Sequence, residues 1–329
     1  MSFLLAPVVL VVLCFCAFSW LFLAALIPHL QRSLLDLPNS RSSHIHPIPR
    51  GGGLVFVLIT SGVSAYSLLF PSIPFSAPFP IQAAPLLAFP LALVGLLDDR
   101  FHLPASWRYV VQLVTALVLI LLSPLLVPSM RGLPLLFLLV IGVTAVINFT
   151  NFMDGLDGLV AGCMSVALTS AAIQLSAPLT IWALVGALLG FLLLNWSPAK
   201  VFMGDVGSTF LGAVFSLLVL QSSSWLEALA LFLVATPLLG DAFICVLRRL
   251  VAGQRVFQAH RLHLFQRLQQ AGWPHARVSS LYILATSVLA SASLFGGLQW
   301  VGTLSAIIIL IGLWLDQHLA VPFAEASRS

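Results

Sequence analysis

The chain alternates long apolar runs with short polar breaks. Eleven runs can be placed near residues 3–27, 53–70, 81–97, 107–127, 133–150, 158–175, 180–195, 206–221, 226–245, 279–295 and 300–318. Most approach the ~20 residues that a helix needs to cross a hydrocarbon layer about 30 Å thick. Their apolar positions are continuous, unlike the ~10-residue alternating strands of a membrane barrel. Only helices then satisfy every backbone group within one segment. The pattern predicts an all-α, polytopic membrane protein with about 11 transmembrane helices, forming a single integral-membrane domain over residues 1–329. No Lys or Arg precedes the first run and no small-residue cleavage site follows it, so that run is expected to be a retained helix rather than a removed signal peptide. The sequence contains no internal repeat and no segment that reads as a soluble domain.

Composition agrees with this reading. Hydrophobic residues make up 60% of the chain and charged residues 7%, with a mean hydropathy of +1.10; soluble domains average about 45–50% apolar and about 25% charged. Lipid is the expected solvent, and no nucleic-acid partner is expected. The placement of the 14 Lys and Arg residues says more than the net charge of +4. With eleven alternating spans, thirteen of them (Arg32, Arg41, Arg50, Arg100, Arg108, Lys200, Arg248, Arg249, Arg255, Arg261, Arg267, Arg277 and Arg328) share one side, and only Arg131 lies opposite. That asymmetry puts the shared side in the cytoplasm, the N-terminus outside and the C-terminus inside. Cys14, Cys16, Cys163 and Cys245 all fall in apolar runs without a CxxC pair, and are read as buried small hydrophobes.

The polar residues with chemical capacity gather in the predicted cytoplasmic loops, about 28–52, 98–106, 148–158, 195–206 and 246–278. Asp36, Asp98, Asp99, Asp154, Asp157, Asp205 and Asp241 lie on that side, and Glu227 outside. Asp98 and Asp99 end an apolar run; adjacent helical side chains point ~100° apart, so the pair can address two partners or simply stop the span. Asn148, Asn151, Asp154 and Asp157 recur every third residue and would spread over half the circumference of a straight helix. Gly155 and Gly158 predict a break that lets the carboxylates converge, the alternative being a capping role for either aspartate. In Phe202-Met203-Gly204-Asp205-Val206-Gly207-Ser208 a carboxylate lies between glycines, a setting suited to phosphate and to a hard cation such as Mg²⁺. Phe202 either stacks on a base or packs in lipid. His260, Arg261, His263 and Arg267 offer donors and positive charge for phosphate, or for anionic lipid. Carboxylates for a metal, cations for phosphate and glycine-rich turns together suit phosphoryl transfer at a lipid surface.

The segments DLPNSRSSHIHPIPRGGG (36–53), LLDDR (96–100), NFTNFMDGLDGL (148–159), NWSPAKVFMGDVGS (195–208) and HRLHLFQRL (260–268) resemble, in order, those of the polyprenyl-phosphate N-acetylhexosamine-1-phosphate transferases, or glycosyltransferase family 4. The first loop resembles the WecA and WbpL branch. The resemblance implies transfer of a HexNAc-1-phosphate from a UDP-N-acetylhexosamine to undecaprenyl or another polyprenyl phosphate, with release of UMP, in the bacterial inner membrane. It implies Mg²⁺, with Mn²⁺ as an alternative, held by Asp205 and Asp99. It also implies catalytic roles for Asp98, Asp99, Asp157 and His260, and substrate contacts from Asn148, Asn151, Asp154, Asn195, Lys200, Phe202, Arg261 and His263. Several relatives carry three nearly consecutive histidines where this chain has His260 and His263 around Arg261. Surface-polysaccharide initiation, such as O-antigen synthesis, is the expected setting, and a homodimer is compatible with it. The rival from another class is an ion-coupled transporter, which would place its acidic groups near the midplane rather than at one rim. The Asp-Gly pairs also invite comparison with CDP-alcohol phosphotransferases, but the Ala-Arg and later aspartates of that signature do not follow Asp154.

Overall fold

The computed structural model describes residues 2–38, 46–70, 78–126, 132–255 and 260–327. Arg41, Arg131 and Arg328, which enter the charge count above, lie outside the described residues. The order of elements is α1 (Ser2–Ser33), β1 (Leu35–Asp36), β2 (Ile48–Pro49), α2 (Gly53–Leu69), α3 (Phe79–Gln82), α4 (Ala84–Phe101), α5 (Ala105–Leu121), α6 (Leu133–Phe152), α7 (Leu159–Gln174), α8 (Leu179–Asn195), α9 (Asp205–Leu220), α10 (Trp225–Leu233), α11 (Thr236–Val251), α12 (Leu264–Gln270), α13 (His275–His318) and α14 (Phe323–Ala326). Among the described residues the only strands are β1 and β2, a short antiparallel pair with Leu35 opposite Pro49.

The bundle is layered by burial. Most of α7, α8 and α9 is buried, including Met164, Leu184, Phe191, Phe210 and Phe215. The surrounding helices expose large apolar side chains, such as Leu10 on α1, Val114 on α5, Phe137 on α6 and Phe295 on α13. So continuous an apolar exterior marks a lipid-facing surface. By length and composition three helices can cross a membrane alone, Ala6–Ser33, Leu133–Phe152 and His275–His318. Five shorter ones, α2, α5, α7, α8 and α9, are apolar but only 16 or 17 residues long. The protein is a multi-pass helical membrane protein.

One expected span takes another shape, and two others share one helical stretch. The run at 226–245 is not one straight helix: α10 and α11 meet at 83° around Val234 and Ala235, just before Pro237, whose ring suits the first turn of a new helix. The runs at 279–295 and 300–318 fall in one helical stretch, α13, interrupted at Gly297 with φ 67° and ψ −164°. Residues from both halves, such as Ala285 and Ile308, line the same apolar groove, so the chain turns back at this glycine.

Close helix contacts position the polar ends. A Cβ on Gly95 of α4 would lie 2.5 Å from the backbone carbon of Asp205 at the start of α9. The absent side chain lets the two helices touch where both carry acids. Gly95→Ala is expected to destabilise the protein by about 1–3 kcal/mol through overpacking, whereas Gly62→Ala on α2, where a Cβ meets nothing within 4 Å, should be close to neutral. Thermal unfolding of the two variants in detergent distinguishes them; equal midpoints would show that the α4–α9 contact yields easily.

Candidate active site

The site is assembled by three loops meeting at helix ends. The segment before α2 runs beside the one before α9: the Phe202 N–H donates to Pro49 O, the Gly52 N–H to Phe202 O, and the Gly53 N–H to Met203 O, at 2.8, 2.9 and 3.0 Å. A Cβ on Gly53 would lie 2.6 Å from Gly207 Cα, so the glycine permits this approach. Between α6 and α7 the helix breaks after Phe152, and Gly158 takes the left-handed conformation with φ 73° that glycine tolerates. Asn195 ties this loop to the next: its Oδ1 accepts the Gly158 N–H at 3.0 Å, and its Nδ2 donates to Val201 O at 2.9 Å.

Four carboxylates meet where these pieces join. Asp99 is buried and accepts the main-chain N–H groups of Asp205 and Val206; its Oδ2 has no hydrogen-bond partner. Gly204, with φ 76°, leaves room for that oxygen, since a Cβ there would stand 2.5 Å from it. Asp154 accepts the Gly204 N–H and feels the charge of Asp205, which in turn feels Asp98. Two arginines thread the acids. Arg50 Nη2 lies 2.9 Å from Asp36 and its Nη1 3.7 Å from Asp99. Arg108 Nη1 is 2.6 Å from Asp98 and 3.6 Å from Asp205. Burial, then the charge of Asp205, pushes Asp99 up to about 8 and Asp154 up to about 7 against the pull of Arg50. Burial and Asp98 likewise raise Asp205. Acids so crowded call for a further cation. The unpartnered oxygen of Asp99 and an all-oxygen donor set fit a hard divalent ion of the Mg²⁺ kind, with Asp99 and Asp205 the candidates to hold it.

A cavity of about 310 Å³ adjoins the acids, lined among others by Arg108, Asn148, Asn151, Asp205, His260 and His263. Asn151 accepts the Ser208 hydroxyl at 2.6 Å and hydrogen-bonds Asp205, while Asn148 pairs with Gln112 of α5 at 2.8 Å. The His260 and His263 rings stack with centroids 4.9 Å apart, and burial holds both at about 3, hence neutral.

Other expected residues stand elsewhere. Asp157 turns away from the cluster: His275 Nδ1 is 3.2 Å from its Oδ1, and the Ala199 N–H donates to its Oδ2. Although burial alone would raise it, His275 and these hydrogen bonds hold Asp157 below the ordinary carboxylate range. Arg261 folds back along α12 to Gln269, and Arg267 is buried against Asp316 with its Nη1 on Val321 O. Lys200 is exposed, Phe202 is half-buried, and Asn195 is committed to loop backbone. Asp241, on the inner side of α11, accepts the Leu264 and Phe265 N–H groups at the start of α12.

Arg50, Arg108, Gln112 and His275 were not singled out from the sequence. The arginines counted there only as topology markers, although Arg108 lies one short helix connection beyond Asp98, close enough to have been considered its partner.

Acids, arginines and a polar cavity at the helix ends of a membrane bundle suit phosphoryl-transfer chemistry. Residues 81–223 match glycosyl transferase family 4. The chain is 31% identical to the undecaprenyl-phosphate alpha-N-acetylglucosaminyl 1-phosphate transferase of Salmonella typhi, over 78% of this chain and 75% of that one. It is 30% identical to the protein of the same name from Escherichia coli (strain K12), with the same coverage. It is 31% identical to the decaprenyl-phosphate N-acetylglucosaminephosphotransferase of Mycobacterium leprae (strain TN), over 77% of this chain and 74% of that one. The chain belongs to this family of polyprenyl-phosphate sugar-phosphate transferases. The relatives give the ion-coupled transporter no support.

The Asp157 pair generates a stability test. Asp157→Ala leaves His275 and the Ala199 N–H unpaired and is expected to cost about 1–3 kcal/mol, lowering the unfolding midpoint in detergent by several degrees. An unchanged midpoint with lost activity would instead return Asp157 to the substrate.

Proposed function

We propose that the protein transfers a HexNAc-1-phosphate from a UDP-N-acetylhexosamine to undecaprenyl or a related polyprenyl phosphate, forming polyprenyl-diphosphate-HexNAc and UMP. The observation that carries this reading is the meeting of Asp98, Asp99, Asp154 and Asp205 with Arg50 and Arg108 beside a polar cavity. An oxygen of the lipid phosphate forms a bond to the sugar-bearing phosphorus as the bond to the uridine-bearing phosphate breaks, and UMP leaves with that electron pair. The lipid phosphate is already an anion near neutral pH, so positioning and charge neutralisation dominate.

Arg108, held by Asp98, is suited to meet phosphate oxygens, with Arg50 on the other side of the acids. Asp205 and Asp99 would hold Mg²⁺ or Mn²⁺, which would neutralise charge on the diphosphate and its leaving oxygen. Asn148 and Asn151 would present amides to the nucleotide sugar, and His260 and His263 a neutral wall. Phe202 is the candidate for the uracil face. In this reading Asp154 shapes the sugar-phosphate site, Asn195 and Asp157 keep its loops in register, and Arg261 and Lys200 serve the approach of the anionic donor.

The topology that goes with it has eleven crossings, the N-terminus outside, the C-terminus in the cytoplasm, and the acids at the cytoplasmic face of a bacterial inner membrane. Surface-polysaccharide initiation, including O-antigen synthesis, is the setting proposed.

Purified protein incubated with undecaprenyl phosphate, Mg²⁺ and a panel of UDP-N-acetylhexosamines is expected to release UMP and yield a lipid with the mass of undecaprenyl-diphosphate-HexNAc. No product with any donor, or UMP release without lipid acceptor, would overturn the assignment. Asp205→Asn keeps the shape and removes a charge, so turnover should fall about 10²–10³-fold with expression retained. Near-normal turnover would remove Asp205 from the reaction.

A further inference from the structure

Beside the carboxylate site lies a second group of donors with a different chemistry. Cys245 of α11 and His260 and His263, on the segment entering α12, each bring one ligand atom within 4.8 Å of the other two. We propose that Cys245, His260 and His263 form a binding site for a thiolate- and imidazole-preferring divalent transition ion of the Zn²⁺ class, separate from the oxygen-lined carboxylate site.

The donor set is the first argument. One thiolate and two imidazoles suit Zn²⁺, whereas Mg²⁺ takes oxygen ligands. Zn–S and Zn–N distances of about 2.3 and 2.0–2.1 Å would draw the three atoms together by roughly 1 Å, a modest contraction for side chains at a helix end and on a loop. On binding, the metal–sulfur bond forms as the thiol gives its proton to solvent. Both imidazoles are neutral and can offer a lone pair without first losing a proton.

The surroundings of His263 supply the second observation. The residue is only 2% exposed, and its Nδ1 faces Asp241, with Oδ1 at 3.9 Å, so that Nε2 is the atom offered to the ion. Asp241 is itself fixed by the Leu264 and Phe265 N–H groups and by the Tyr282 hydroxyl at 2.8 Å. A carboxylate behind a metal-bound imidazole is the arrangement that orients such ligands. The ion would tie the histidine wall of the cavity to α11.

The site is read out by metal alone and does not depend on the transfer reaction proposed above. Titration of the purified full-length protein with Co²⁺ is expected to give a thiolate-to-cobalt charge-transfer band that saturates at one equivalent, disappears on adding Zn²⁺ and survives excess Mg²⁺. Cys245→Ser should abolish the band, and His263→Ala should weaken binding at least about tenfold. No band in the unaltered protein would overturn the proposal, as would a band retained in Cys245→Ser, which would assign it to another cysteine. Should Cys245→Ser fail to fold, zinc-edge X-ray absorption of the unaltered protein decides. A shell of one sulfur with two nitrogens supports the site, and an oxygen-only shell removes it.

Discussion

Burying several carboxylates at one helix-end junction is the constraint that much of this molecule answers. Loss of water raises Asp99, Asp154 and Asp205 most, and the charge of one acid on the next adds to it. The bundle holds them together by letting α4 and α9 touch through Gly95 and by turning the chain at Gly204. Arg50 and Arg108 relieve part of the repulsion, and raised proton affinities at Asp99 and Asp154 take up more. The result is a junction in which each arginine is shared between two acids, Arg50 by Asp36 and Asp99 and Arg108 by Asp98 and Asp205.

The architecture was largely legible because lipid imposes a simple code. Runs such as 133–150 and 180–195 appear as α6 and α8 with only small changes at their ends. The code fails where direction matters. Hydropathy at 226–245 is continuous, yet the chain turns by 83° between α10 and α11, because apolar composition says what surrounds a segment and nothing about its axis. The lengths of the short inner helices were equally hidden: α7 and α9 are packed on nearly all sides by protein and need not match the full hydrocarbon thickness.

At the site, legibility followed chemistry carried in short motifs. Glycines around Asp205 and after Asp154 mark places where backbone must approach closely, and the structure sets Asp205 within reach of both Asp99 and Asp154. Partners distant in sequence left no such trace. Nothing near Asp157 announces His275, and nothing near Asp241 announces the start of α12 that it caps. From the sequence, Arg267 offers positive charge to phosphate or to anionic lipid. Its burial against Asp316 depends on the C-terminal half of α13 folding back, which the local sequence does not display.

The amide of Asn195 has a wider implication. By bonding Gly158 on one side and Val201 on the other, it makes two loops far apart in the chain into a single mechanical unit. Both bonded groups are main-chain atoms, so the side chains of either loop are free to vary while one amide keeps the register. The constraint falls on a single position, Asn195, and leaves the sequence on either side open to drift.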